Sequence, residues 1–222
     1  MVAPYGSYEP IFGTNPISIA IPRKQSQNIA MNSKGDFQYE RNNISGDRSK
    51  KLLQTKSPLV LDMATSAAAL FSLYMAQNEG RIIPENVAFD KFGNSTINPT
   101  AALDGGALRV FDNGHKGSHL AFMVEILAGA LTGANMLNKN HPLSTWGSLV
   151  MAIDPKLFGP LDAFESRVNE LCERVKGAKK LPGVEHIYLP GERGDEMERI
   201  NLERGYIEMS RRDYEALLDL AK

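Results

Sequence analysis

The stretch Pro58-Leu59-Val60-Leu61-Asp62-Met63-Ala64-Thr65-Ser66 constrains this chain more than any other. Its apolar run is too brief for a helix and follows a proline, so it predicts a buried strand over Leu59-Val60-Leu61. Helix-prone sequence from Ala67 to Glu79 follows, and Gly80 is suited to end that helix. A buried strand feeding a helix is a building block of α/β proteins. Ligands of such folds gather at the carboxyl ends of the strands.

The rest of the chain repeats the alternation. Ile17-Ser18-Ile19-Ala20-Ile21 alternates with period two and stops at Pro22, which predicts a strand after a turn at Gly13-Thr14-Asn15-Pro16. Residues 84–106 are turn-rich. Gly114-His115-Lys116-Gly117-Ser118 opens a second long helix, whose apolar part, Leu120 to Leu137, reads as buried. A carboxylate, Glu125, makes that stretch a poor membrane span. Ser148 to Ile153 and Glu185 to Leu189 read as strands. Leu161, Phe164, Val168, Leu171 and Val175 recur at helical steps. Glu196 to Arg204 reads as a helix stopped by Gly205, and Ser210 with Asp213 forms a capping box for the last helix.

Composition excludes several classes. The 222 residues are 42% hydrophobic and 23% charged, with 25 basic against 26 acidic side chains. That balance argues against a nucleic-acid binder working through bulk charge. Cys172 is the lone cysteine, so no intrachain disulfide forms and a reducing compartment is compatible. The N-terminus, Met1-Val2-Ala3-Pro4-Tyr5-Gly6, shows neither the basic nor the apolar region of a signal peptide. Residues 23–57 hold eight Lys or Arg against three Asp or Glu. They read as a polar surface insertion, with a basic flap over an anionic ligand as the alternative and a hairpin across Asn28 to Glu40.

Chemistry has few places to sit. Asp62, at the strand end, either caps the helix or accepts hydrogen bonds from a ribose, with the Thr65 and Ser66 hydroxyls beside it. Lys116 either adds charge at an anion-binding helix start or is an exposed turn lysine. Glu125 reads as a structural ion pair or a cap to a neighbouring loop in preference to a catalytic base. The histidines, His115, His119, His141 and His186, match no metal-ligand spacing. Cys172 reads as helix packing. GxSxG, GxGxxG and GxxxxGK[ST] are all absent.

Seven strings in order are similar to one family. They are Val2-Ala3-Pro4-Tyr5-Gly6, Phe12-Gly13-Thr14-Asn15-Pro16, Pro58 to Ser66, His115-Lys116-Gly117, Met123 to Gly129, Ala152-Ile153-Asp154-Pro155 and Leu189-Pro190-Gly191-Glu192. Together they resemble the non-Rossmann malate/L-lactate dehydrogenase family, whose relatives act on ureidoglycolate, sulfolactate and cyclic imino acids. The resemblance implies an α/β fold with a mixed sheet and flanking helices. It implies NAD or NADP as cofactor, hydride transfer at a 2-hydroxy or 2-keto acid, and a cytoplasmic homodimer with no nucleic-acid or membrane partner.

Carried over by position, Leu61, Asp62, Met63, Ala64, Thr65 and Ser66 would line the cofactor. His115, Lys116, Gly117, Gly191 and Glu192 would add further contacts. Gly13, Thr14, Asn15 and Pro16 would shape the floor near the substrate. No metal is implied. Residues 1–222 would form a single cofactor-binding domain, with 23–57 as an insertion or flap.

The resemblance also implies an N-terminal third carrying a Ser-His-Gly motif, a substrate-clamping arginine and a further histidine. None has a counterpart here, so no catalytic residue is assigned and the chain is expected to begin mid-fold. A second departure is His119, where the family prefers a small residue and a ring would crowd the cofactor. Two expectations follow: the cofactor-binding portion of a dehydrogenase, or an inactive remnant that binds a nucleotide or pairs with an intact paralogue.

Overall fold

The computed structural model describes residues 1–23, 57–134 and 146–221. The Asn28–Glu40 hairpin and nearly all of the basic insertion lie outside them. The chain divides into two compact units. The first comprises Met1–Ile19 and Leu61–Ile153, the second Ala20–Val60 and Asp154–Lys222. The boundary falls inside two strands, β1 (Ile17–Ile21) and β2 (Leu59–Met63), which pair as a two-stranded sheet. Both strands stand where apolar alternation and the proline-led apolar run predict them. The expectation that Leu59-Val60-Leu61 is buried is corrected: Leu59 and Val60 are half-buried and Leu61 is exposed, with β1 as the strand's sole sheet neighbour among the described residues.

In the first unit, β2 leads to α1 (Leu70–Asn78). The helix starts three residues later than the sequence predicts, because the intervening backbone is bonded elsewhere. Thr65 N–H donates to Thr14 O (2.9 Å), Ala67 N–H to Arg109 O (2.8 Å), and the Ser66 hydroxyl to Ala68 O (2.7 Å). The turn-rich stretch holds real elements, β3 (Ala88–Phe89), β4 (Ser95–Thr96) and α2 (Pro99–Leu103), and β5 (Ala107–Leu108) follows it directly. The strands order β4-β3-β5, with Ala88 opposite both Thr96 and Leu108 in antiparallel register. Val2 bridges antiparallel to Phe12 and parallel to Leu108, so the pairing around this sheet is mixed. Val2, Phe12, Leu73, Ile83, Ala88, Leu108, Val110 and Ala121 form the core.

The helix α3 (His115–Glu125) continues into a π-helical turn, Ile126–Ala130. The expectation of a helix buried throughout is corrected. Ala121 and Gly129 are buried, but Phe122, Met123, Leu127 and Leu131 are exposed. Residues 135–137, the end of that stretch, lie outside the described residues.

The second unit is helical. A 3-10 turn, Pro155–Leu157, is capped by Asp154, and α4 (Leu161–Lys176), α5 (Glu192–Arg204) and α6 (Arg211–Leu220) follow. Cys172 is buried on α4, as helix packing requires. Gly205 ends α5 in the left-handed conformation, and the Ser210 hydroxyl accepts from Asp213 N–H (3.1 Å). α5 starts four residues earlier than predicted.

Two predicted strands, Ser148 to Ile153 in the first unit and Glu185 to Leu189 in the second, are irregular instead. β-prone composition does not make a strand without a neighbour to share its ladder, and Val150 is 88% exposed. Among the described residues, no helix is long and apolar enough to cross a membrane.

Candidate functional site

Thr65 is the junction of the first unit. Its side chain is fully buried, and its hydroxyl donates to Asn15 O (3.0 Å) and, more weakly, to Thr14 O (3.2 Å). Its carbonyl accepts from Phe111 N–H (3.0 Å), just ahead of α3. The loop Gly13-Thr14-Asn15-Pro16 is tied in from the other side by Glu125. That carboxylate accepts from the Asn15 amide (2.7 Å) and from Gly13 N–H (3.3 Å), while the same amide donates to Ala121 O (2.9 Å). Asn15 holds φ at 44°, a left-handed backbone that its amide contacts stabilise. Glu125 therefore caps a loop, the reading preferred from sequence. The network joins Gly13–Pro16, the bend after β2 at Thr65, and the last turn of α3 at Ala121 and Glu125; the predicted residues His115, Lys116 and Gly117 at the start of α3 are not part of it.

Within β2 and the bend after it, Leu61 and Asp62 are exposed, and Met63 and Ala64 are half-buried. Asp62 does not cap α1. The cap position is Ala69, with no side-chain bond. No described residue bonds the Asp62 carboxylate, which leaves an exposed acceptor at a strand end.

The start of α3 holds a group the sequence reasoning missed. Asp112 accepts from Gly114 N–H (2.9 Å) and faces the Gly117 N–H. The Gly114 bond chiefly, then the Gly117 N–H and the nearby His115, hold its carboxyl below its ordinary value. An Asp two residues ahead of a glycine is an Asx-turn signal that would have found it. Gly117 is buried, and a Cβ there would stand 2.3 Å from Asp112 Oδ1. Its role is packing beneath Asp112. His115 and Lys116, by contrast, project into solvent. The His115 ring meets Tyr5 edge-on at 6.4 Å and His119 edge-on at 5.7 Å, so His119 rests against its helical neighbour. Tyr5 is held there by its N–H donating to the Ser118 hydroxyl (3.0 Å).

In the second unit, Gly191 sits at φ 94°, where an added Cβ would lie 3.3 Å from Val60 N. Pro190 O accepts from that Val60 N–H (3.2 Å). The Glu192 carboxylate is committed to Leu189 N–H (2.8 Å) and Lys176 Nζ (2.5 Å). Partial burial opposes ionisation, but the bonds from Lys176 and Leu189 with the charges of Lys176 and Arg23 prevail, and the carboxyl is held below its usual range. Among the described residues, no group of three or more His, Cys, Asp or Glu could hold a metal ion.

The sequence pattern of the malate/L-lactate dehydrogenases matches residues 53–218. The chain belongs to that family. It is 35% identical over 227 residues to the Δ1-pyrroline-2-carboxylate/Δ1-piperideine-2-carboxylate reductase of Pseudomonas syringae pv. tomato, covering 99% of this chain and 55% of that protein. It is likewise 35% identical over 230 residues to the L-sulfolactate dehydrogenase of Methanothermobacter thermautotrophicus, covering 100% and 55%. The crystal structure of the Pseudomonas syringae Δ1-piperideine-2-carboxylate reductase aligns with a TM-score of 0.65 and 33% identity over 99% of this chain and 56% of that one. The sulfolactate dehydrogenase of Methanocaldococcus jannaschii aligns at 0.68 and 29% over 96% and 53%. The chain spans about half the length of the curated relatives it matches. Its fold is that of the malate, lactate and sulfolactate dehydrogenases, as the resemblance implies.

Proposed function

We propose that this chain is the cofactor-binding portion of an NAD(P)-dependent oxidoreductase that moves hydride between a nicotinamide and a 2-hydroxy or 2-keto acid. The observation that carries the reading is the joining of three family segments by the Thr65 and Glu125 network, with Asp62, His115 and Lys116 left exposed. Their chemistry fits a dinucleotide. Asp62 accepts from ribose hydroxyls, Lys116 offers positive charge to phosphate, and His115 offers an imidazole edge. Thr65, Ser66 and Gly117 support these residues from below, and Gly13 to Pro16 shape the floor beside the substrate. In the second unit, Gly191 provides bare backbone, and Glu192 fixes its turn. Leu61, Met63 and Ala64 supply apolar contact. A bound nicotinamide would supply the hydride acceptor or donor; the chain's residues bind and orient it. The reading includes a cytoplasmic homodimer.

A second reading is nucleotide binding without turnover. Fluorescence titration with NADH and NADPH tests both readings. Saturable binding of one or both is expected. Lys116→Ala is expected to weaken it by about 1.5–3 kcal/mol, roughly ten- to a hundredfold, the worth of a charge-assisted contact. Unchanged affinity would make Lys116 a bystander. Oxidation of malate or lactate by the chain would exclude the second reading.

A further inference from the structure

A cleft of ≈ 270 Å³ opens in the first unit, lined by Tyr5, Tyr8, Phe89, Arg109 and Asn113 among others. Its charge is Arg109. The guanidinium carbon lies 4.0 Å from the centre of the Phe89 ring, so one face of the cation is covered by an aromatic. The Nε is buried and makes no hydrogen bond. Among the described residues, no carboxylate pairs with this guanidinium. Arg109 is half-buried, so its charge is partly desolvated with no counter-charge beside it, a cost that an anion arriving at its remaining nitrogens would offset.

The walls are aromatic, and one is fixed by a glycine. A Cβ on Gly93 would stand 2.8 Å from Tyr8 Cδ1, so the Tyr8 ring lies flat over a turn that a larger residue would push away. The Tyr5 backbone is held by Ser118. These contacts hold two phenol rings and a planar cation at one opening. The volume admits a single ring with one charged substituent, and is smaller than most cofactor pockets.

We propose that this cleft is a binding site for a small aromatic carboxylate. The carboxylate would meet the terminal nitrogens of Arg109, and the ring would lie against Tyr8 and Tyr5. The site adjoins the cofactor contact assigned to His115, whose ring meets Tyr5 edge-on at 6.4 Å, but its charge is Arg109 and not Lys116.

Calorimetric titration of the 222-residue chain with benzoate, benzamide and inorganic phosphate tests it. Saturable binding of one benzoate per chain is expected, with benzamide and phosphate each at least about tenfold weaker. Arg109→Gln should weaken benzoate roughly ten- to a hundredfold, and Arg109→Lys, which keeps charge but loses the planar fork, by an intermediate factor. Tyr8→Ala should weaken it several-fold, and it decides the case if Arg109→Gln fails to give a folded circular dichroism spectrum. Absence of saturable benzoate binding would overturn the proposal. So would equal affinity for benzamide, equal affinity for phosphate, or wild-type affinity in a folded Arg109→Gln. Loss of NADH binding in Arg109→Gln with benzoate affinity unchanged would assign the arginine to the cofactor, and the proposal would fall.

Discussion

The two units hold their candidate residues in place by different means. In the first, every residue of the buried hydrophobic cluster belongs to the same unit, and the loops that carry Thr14, Asn15 and Phe111 are bonded to a fully buried threonine. In the second, the buried apolar side chains among the described residues are Cys172 and Leu189. Its order rests on local devices: the Ser210 box, the Glu192 bonds, and solvent-exposed pairs such as Arg199–Glu203 (2.8 Å). Exposed ion pairs contribute little, from near zero to about 1 kcal/mol. The contrast teaches that a site is rigid where its polar contacts are buried and long-range. Where they are exposed and local, it is adjustable.

The largest expected effect is in the first unit. Thr65→Val keeps the shape and removes both hydroxyl bonds, leaving Asn15 O without its partner. A loss of about 1–2 kcal/mol is expected in urea unfolding. Gly117→Ala drives a methyl into Asp112 Oδ1, so the carboxylate must leave the helix start or α3 must shift. The carboxylate is the exposed end of a flexible side chain and can swing aside, so a loss at the low end for overpacking, about 1 kcal/mol, is expected from the methyl against the Phe111 ring. The same assay checks it, and a change within error would break the claim that this unit is tightly fitted.

In the second unit, Ser210→Ala should cost about 1 kcal/mol, with faster hydrogen exchange confined to α6. Spread of that exchange into other helices would show the unit to be more cooperative than its contacts suggest. The smallest effect is visible only as a pH dependence. The Glu192 carboxyl is held below its ordinary value, so its contribution is complete above the unfolded value of about 4.3. It is lost as pH falls through the lowered folded value. Protection of the Leu189 amide should fall on acidification through that window. Glu192→Gln should remove the pH dependence.

How legible these features were follows from how local their causes are. β1, β2 and α4 were readable because period-two alternation, a short apolar run after proline and apolar residues at helical steps are carried by neighbouring residues. Ser210 with Asp213 was readable for the same reason. Ser148 to Ile153 and Glu185 to Leu189 were misread because a strand is a property of a pair, and composition names no partner. Asp62 kept two readings until the start of α1 at Leu70 removed the capping one. Residue types marked the turn at Gly13–Pro16 and the helix start at Gly114–Gly117, and family likeness added the substrate-floor role of the first and the cofactor role of His115 and Gly117. The bond that joins Asn15 to Glu125 spans 110 residues, and no local pattern encodes it.

That span has a consequence for synthesis. Tyr5, Gly13 and Asn15 find their partners at Ser118, Glu125 and Ala121, between 106 and 113 residues downstream. At roughly 5–20 residues per second on the ribosome, the first loop waits on the order of 5–20 s before the helix that anchors it exists. Until then, the backbone of Tyr5 and Gly13 and the amide of Asn15 lack the acceptors that fix their loop, even after Leu73, Ile83 and Ala88 are available to pack on Phe12.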